Sequence, residues 1–149
     1  MFVEKCELFE IIPKEEINRV FSESQTAGAE MDYSFMGFED VYKAVTMFVP
    51  KGKVILDLGC AYASQSYYFK DYYKYIGVDL PSRDDIRFDK NDNCIIFCES
   101  IQDFINKRLK ELPYNNTDYF AICSYVPDDN ARKLVRETFE NCLVYYPSN

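Results

Sequence analysis

The sequence predicts an α/β protein: a doubly wound, mainly parallel five-stranded sheet flanked by helices. Three observations carry that expectation. Five short runs, Val54–Leu58, Tyr75–Val78, Cys94–Cys98, Tyr119–Ser124 and Cys142–Tyr146, are apolar on both faces, as strands covered by helices on both sides are. Stretches with helical spacing separate most of them. The first run ends in Asp57-Leu58-Gly59-Cys60-Ala61-Tyr62-Ala63, an acid and a glycine-led turn of the kind that opens nucleotide-binding sheets.

No repeat, linker or low-complexity tract divides the 149 residues, so 1–149 reads as one domain with room for a sizeable core. It divides into an N-terminal helical region over 1–50 and a core over 51–149. Phe2 to Ile12 fits a short strand or a helical turn, with Pro13 as the break. Lys14 to Phe21 carries helical spacing at Ile17, Val20 and Phe21, and 22–37 is polar and loop-like. Phe38–Phe48 places Val41, Ala44, Val45 and Phe48 on one helical face. Pro50-Lys51-Gly52 ends that helix before the first strand. Ser64–Tyr73 reads as the helix after the glycine turn. Ile101–Leu112 gathers Ile101, Phe104, Ile105, Leu109 and Leu112. Asp128–Phe139 starts with Asp caps and buries Ala131, Leu134, Val135 and Phe139. Residues 81–93 are turn-rich, with little room for a full helix.

Composition removes several functions. The net charge of −8 argues against a nucleic-acid footprint, which needs clustered Lys and Arg. Lys107-Arg108-Leu109-Lys110 reads as a solvated helix face. The chain has no histidine, so the commonest general base, the commonest zinc ligand and any Ser-His or Cys-His pair are excluded. Its 13 Tyr and 12 Phe lack interleaved basic residues, and so read as packing rather than a base-stacking platform. The cysteines at 6, 60, 94, 98, 123 and 142 form no Cys-x-x-Cys pair, which speaks against a metal site; most read as small buried hydrophobes. A charged N-terminus without a signal peptide predicts a cytoplasmic protein, and no apolar run reaches the ~20 residues of a membrane span.

In sheets of this kind ligands sit beyond the carboxyl ends of the strands. The first strand delivers Asp57, Gly59, Cys60 and Ala61 there. The second delivers Asp79 and Leu80, with Asp79 twenty positions after Gly59, where a ribose-binding carboxylate stands. The third delivers Glu99, Ser100 and Ile101, and the fourth Ser124, Tyr125 and Val126-Pro127. A small-molecule nucleoside cofactor is the expected ligand. The competing reading is a tight turn with no ligand, since an Asp before Leu-Pro is also a good turn former.

From about Phe38 to Tyr146 this arrangement resembles the class I S-adenosylmethionine-dependent methyltransferases. That family follows its first strand with an acid and a turn of type D/E-x-G-x-G-x-G. Here Gly59 matches the first glycine, and Ala61 and Ala63 stand at the next two, a replacement compatible with backbone at negative φ. The family's ribose acid corresponds to Asp79 in Tyr75-Ile76-Gly77-Val78-Asp79-Leu80. Its adenine-binding acid falls at Ser100, which weakens that contact or shifts it to Glu99 or Asp103. Ser124-Tyr125-Val126-Pro127 is a loose echo of the family's fourth motif. That would put Tyr125 and Asp128 nearest the transferred methyl, although a packing tyrosine and a helix cap serve equally well there. The resemblance implies a Rossmann-like fold, S-adenosylmethionine as cofactor and methyl transfer to a small or protein substrate.

The family sheet continues past its fifth strand into a hairpin that this sequence does not contain, and this predicts an exposed edge. Three solutions stay open: a homodimer, the Phe2–Ile12 segment folded across it, or protection by Pro147. The alternative function is a binding or regulatory protein that kept the fold and lost catalysis. A dehydrogenase-like domain fits less well, because Gly59 lacks the following Gly-x-x-Gly.

Overall fold

The computed structural model of the chain describes residues 3–5, 38–61, 63–80 and 93–146. The expected helix over Lys14–Phe21, the loop 22–37 and the turn-rich 81–92 lie outside the described residues. The strands are β1 (Val3–Lys5), β2 (Val54–Leu58), β3 (Lys74–Asp79), β4 (Cys94–Cys98), β5 (Tyr119–Ser124) and β6 (Cys142–Tyr145). They form one sheet in the order β1-β6-β5-β2-β3-β4. The five strands from β2 to β6 are parallel to their neighbours, and β1 runs antiparallel to β6. The chain is therefore a Rossmann-like α/β fold. Succession passes from β2 outward to β3 and β4, then returns to β5 on the other side of β2. The switch point lies between β2 and β5, where the predicted site residues emerge.

Alternation along the strands builds two cores. On one face Ile55, Tyr75, Phe120, Ile122 and Leu143 pack with Val41, Tyr42 and Val45 of α1 (Phe38–Phe48) and with Phe69. On the other, Val54, Leu56, Leu58, Ile76 and Val78 pack with two helical stretches. The first is α2 (Ile101–Asp103), which continues through a π segment, Phe104–Arg108, into a 3-10 turn, Leu109–Glu111. The second is α3 (Asp129–Thr138), capped by the Asp128 carboxylate on the Asn130 and Ala131 N–H groups. In β2, β5 and β6 every residue is buried in one layer or the other, which is why those runs read as apolar throughout.

Two expectations are corrected, and one of the three edge solutions left open is present. The Ser64–Tyr73 helix is a 3-10 helix, Ser64–Phe69. The run is rich in Ser and Tyr, weak helix formers, and the Asn93 side chain takes up the Phe69, Lys70 and Tyr72 carbonyls at 2.9–3.2 Å, closing the segment early. β4 reads as a central strand, but it ends the sheet, so Cys98 is exposed and Cys94 half-buried; Cys60, Cys123 and Cys142 are buried as expected. The edge beyond β6 is lined by the chain's own N-terminal segment, Val3 opposite Leu143 and Lys5 opposite Cys142, which is one of the three solutions left open. Among the described residues no helix is long and apolar enough to cross a membrane.

Candidate functional site

The turn after β2 is held by its own backbone. The N–H groups of Gly59 and Cys60 both donate to the Val78 carbonyl, at 2.7 and 3.0 Å, which ties the turn to the end of β3. Gly59 has φ +85, and a Cβ there would stand 2.6 Å from Val126 Cγ2, so both conformation and space demand glycine. Ala61 and Ala63 also lie in the left-handed region, with φ 51 and 58. The expectation of negative φ at these alanines is thus corrected. Each left-handed alanine costs about 1–2 kcal/mol, offset by local bonds. Ala63 N–H donates to the Cys60 carbonyl at 2.8 Å, and Ala61 N–H donates to Asp79 Oδ2.

Asp79 therefore has a structural duty. Its Oδ1 accepts the Leu80 N–H at 2.7 Å while Oδ2 holds Ala61. A carboxylate has about four acceptor positions, so about two remain for a ligand's hydroxyls.

Asp57 and Cys60 do not line the pocket; both lie beneath the turn, fully buried. Asp57 Oδ1 accepts from the Tyr42 hydroxyl at 3.0 Å. Its Oδ2 accepts from the Tyr75 hydroxyl at 2.6 Å and from Gln65 Nε2 at 2.7 Å. Gln65 also donates to the Cys60 carbonyl at 2.8 Å. One carboxylate thus joins α1, β3 and the 3-10 helix. Burial pushes its pKa up from 3.8 to about 6 despite the three donors that favour the ionised form. Burial, followed by the Asp57 charge, holds both phenols well above their usual range. The Cys60 thiol, packed over Gly77, is raised for the same reasons and is a poor nucleophile.

Beyond the strand tips lies a cavity of about 410 Å³, within the range of small-ligand sites. Of the predicted residues, Gly59, Ala61, Asp79, Leu80, Ser100, Ile101 and Ser124 line it. Glu99, Tyr125 and Asp128 line it too, whereas Asp103 does not. Ser100 is a helix cap, its hydroxyl accepting the Asp103 N–H at 3.1 Å. Glu99 is paired with Arg108 at 3.0 Å. Asp128 accepts from Gln102 Nε2 at 2.9 Å, and this bond, together with its capping role, lowers its pKa. Tyr125 has φ 61 and sets its ring edge-on to Tyr145, with centroids 5.5 Å apart. Arg132 donates to the Val126 carbonyl and so pins the 125–127 loop onto α3.

Gln102 and Ala131 are lining residues that sequence reasoning missed. Both sit in first helical turns that follow a strand tip, a position that could have flagged them. Among the described residues, the lining contains three carboxylates and no Lys or Arg. Arg108 pairs with one of these carboxylates, Glu99, from outside the lining, and the short 3-10 helix after the turn supplies little of the macrodipole that a phosphate would use. No family model, curated protein or solved structure matches this chain.

Proposed function

We propose that the cavity binds S-adenosylmethionine and that the protein transfers its methyl group. The observation that carries this reading is Asp79 at the tip of β3, beside the glycine turn, lining a pocket with acidic and no basic side chains. A nucleoside that carries a cationic sulfonium suits such a pocket, and a dinucleotide diphosphate does not. Asp79 keeps acceptor positions for a ribose diol. Gly59 and Ala61 bring bare or nearly bare backbone to the same wall. Methyl transfer is direct displacement at the sulfonium carbon and rests on alignment of donor and nucleophile, so the missing histidine is no obstacle.

The second reading is a protein that binds the cofactor without transferring from it. It draws on the engagement of the lining carboxylates: Asp79 holds backbone N–H groups, Glu99 holds Arg108, and Asp128 caps α3. None stands free as a strong base.

Thermal unfolding with S-adenosylmethionine, its demethylated product and NAD tests the proposal. At a hundredfold excess over Kd the first two stabilise the fold by about 3 kcal/mol, and NAD does not. Asp79→Ala, confirmed folded by circular dichroism, abolishes the shift. Absence of any shift with the wild-type chain refutes the cofactor reading, and an unchanged shift in Asp79→Ala refutes the ribose contact. Transfer of labelled methyl to a mixed acceptor pool separates enzyme from binding protein.

A further inference from the structure

The two edges of the sheet are built differently. β1 is a blunted edge: three residues, Val3-Glu4-Lys5, two of them charged, paired with β6 in an irregular register. β4 ends the other side without any such device. Its five residues, Cys94-Ile95-Ile96-Phe97-Cys98, contain no charge and no proline, and they pair with β3 in unbroken register from Tyr75↔Cys94 to Asp79↔Cys98. Among the described residues no strand lies on its outer side. Ile95 is 39% exposed and Cys98 is exposed, in a sheet whose β2, β5 and β6 are buried throughout. A regular, uncharged, apolar edge is a template for another strand.

The sequence of β4 selects the strand that fits. The Asn93 carbonyl accepts the Tyr75 N–H at 2.7 Å, so Asn93, Ile95 and Phe97 turn their backbone groups toward β3. Alternation then aims those of Ile96 and Cys98 outward. The run also reads almost the same in both directions about Ile96. A two-fold axis makes an antiparallel pair of identical strands, a closed and self-complementary contact. An axis at Ile96 sets that residue against its own copy, Ile95 against the partner's Phe97 and Cys98 against the partner's Cys94. The two Ile96 residues exchange both N–H···O bonds. Ile95 and the partner's Phe97 form the closer, non-hydrogen-bonded pair, which covers the exposed isoleucine with a ring. Charge permits the approach. Each chain carries −8, yet from Asn93 to Glu99 this register sets no acid against an acid, and Glu99 is paired with Arg108 at 3.0 Å.

We propose that β4 pairs antiparallel with β4 of a second copy about Ile96, joining two sheets into one and making the protein a homodimer. This stands apart from the cofactor reading. The pairing ends beside the cavity, because Glu99 lines it and comes opposite the partner's Asn93.

Analytical ultracentrifugation of the full chain over a concentration series, with hydrogen exchange read at single amides, tests this. The expected result is a monomer–dimer equilibrium in which the Ile96 and Cys98 amides slow by about tenfold or more as the dimer fills. Ile95→Lys places a charge at an exposed side chain and leaves the ladder to β3 intact. It shifts the equilibrium to monomer and restores fast exchange at both amides, with the fold confirmed by circular dichroism. A short bismaleimide joins Cys98 to the partner's Cys94, and Cys98→Ser, a near-isosteric change at an exposed site, abolishes that link. Should Ile95→Lys fail to fold, the exchange and cross-link results on the wild-type chain decide. A monomer at every concentration overturns the proposal, and slow Ile96 and Cys98 amides in that monomer mean that another part of the same chain covers the edge. A dimer that survives Ile95→Lys, or one cross-linked only through other cysteines, places the interface elsewhere and equally overturns it.

Discussion

Replacing Asp57 with Asn should stabilise this protein at neutral pH, although Asp57 accepts three side-chain hydrogen bonds. Its folded pKa of about 6 stands above the 3.8 of an unperturbed aspartate. Between these two values the folded state binds more protons than the unfolded one, so Asp57's contribution is fully present below pH ~4 and is lost as pH rises through 6. A shift of about two units corresponds to about 3 kcal/mol lost at pH 7.5, roughly half of it already at pH 5. Asn imitates the protonated form. Its carbonyl in the Oδ2 position still accepts from Gln65 and Tyr75, and its NH₂ in the Oδ1 position donates to the Tyr42 oxygen once that hydroxyl rotates. Urea unfolding of wild type and Asp57→Asn from pH 5 to 7.5, followed by circular dichroism, measures the difference. Taking the difference removes the other carboxylates common to both chains. Asn should gain over wild type as pH rises, by roughly 1–2 kcal/mol across that range. A pH-independent difference, or an Asn variant less stable at pH 7.5, would refute the account of a charge held against burial. Asp57→Ala is the contrast: it strands three buried donors at about 1–3 kcal/mol each and should be strongly destabilising at every pH.

Two further perturbations probe the turn. Ala61→Gly relieves a left-handed alanine at a half-buried position and should raise stability by about 0.5–1 kcal/mol in urea unfolding, the strain relieved less the added unfolded-state entropy; a loss of stability would show that the strain argument is wrong. Gly59→Ala sets a methyl against Val126 in a backbone conformation hostile to alanine, and should cost about 2 kcal/mol or more. Val126→Ala in the same chain should recover the steric part and leave the conformational part, and strict additivity of the two changes would mean that the contact does not matter.

Much of the architecture was legible because helix-covered parallel strands are written as continuous apolar runs. The Val54–Leu58 and Cys94–Cys98 runs appear with the predicted bounds, and the α3 cap at Asp128 follows from local chemistry. Asp79 was legible from its spacing to Gly59. The misreadings share a cause. Cys94–Cys98 has the composition of a central strand, and its place at the edge comes from the order in which strands are laid down. Asp57 reads as a turn acid at the site, yet Tyr42, Gln65 and Tyr75 converge on it from 15, 8 and 18 positions away. No local pattern encodes that convergence. Ser64–Tyr73 has enough apolar residues for a helix, but whether it closes as 3-10 depends on Asn93, more than twenty positions on.

By itself, then, the sequence determined the layers, the strand ends and which residues meet at the switch point, because burial periodicity and turn chemistry are local properties. Only the tertiary structure decided which of those residues line the cavity. Bonds from Gly59 and Cys60 to Val78 and from Ala61 to Asp79 fix the turn in which both alanines take positive φ, burial draws Asp57 and Cys60 under it, and Ser124 is left with a buried hydroxyl that has no partner among the described residues. These outcomes depend on groups distant in sequence competing for the same few donors, acceptors and volumes, and that competition is settled only when the chain has closed around them.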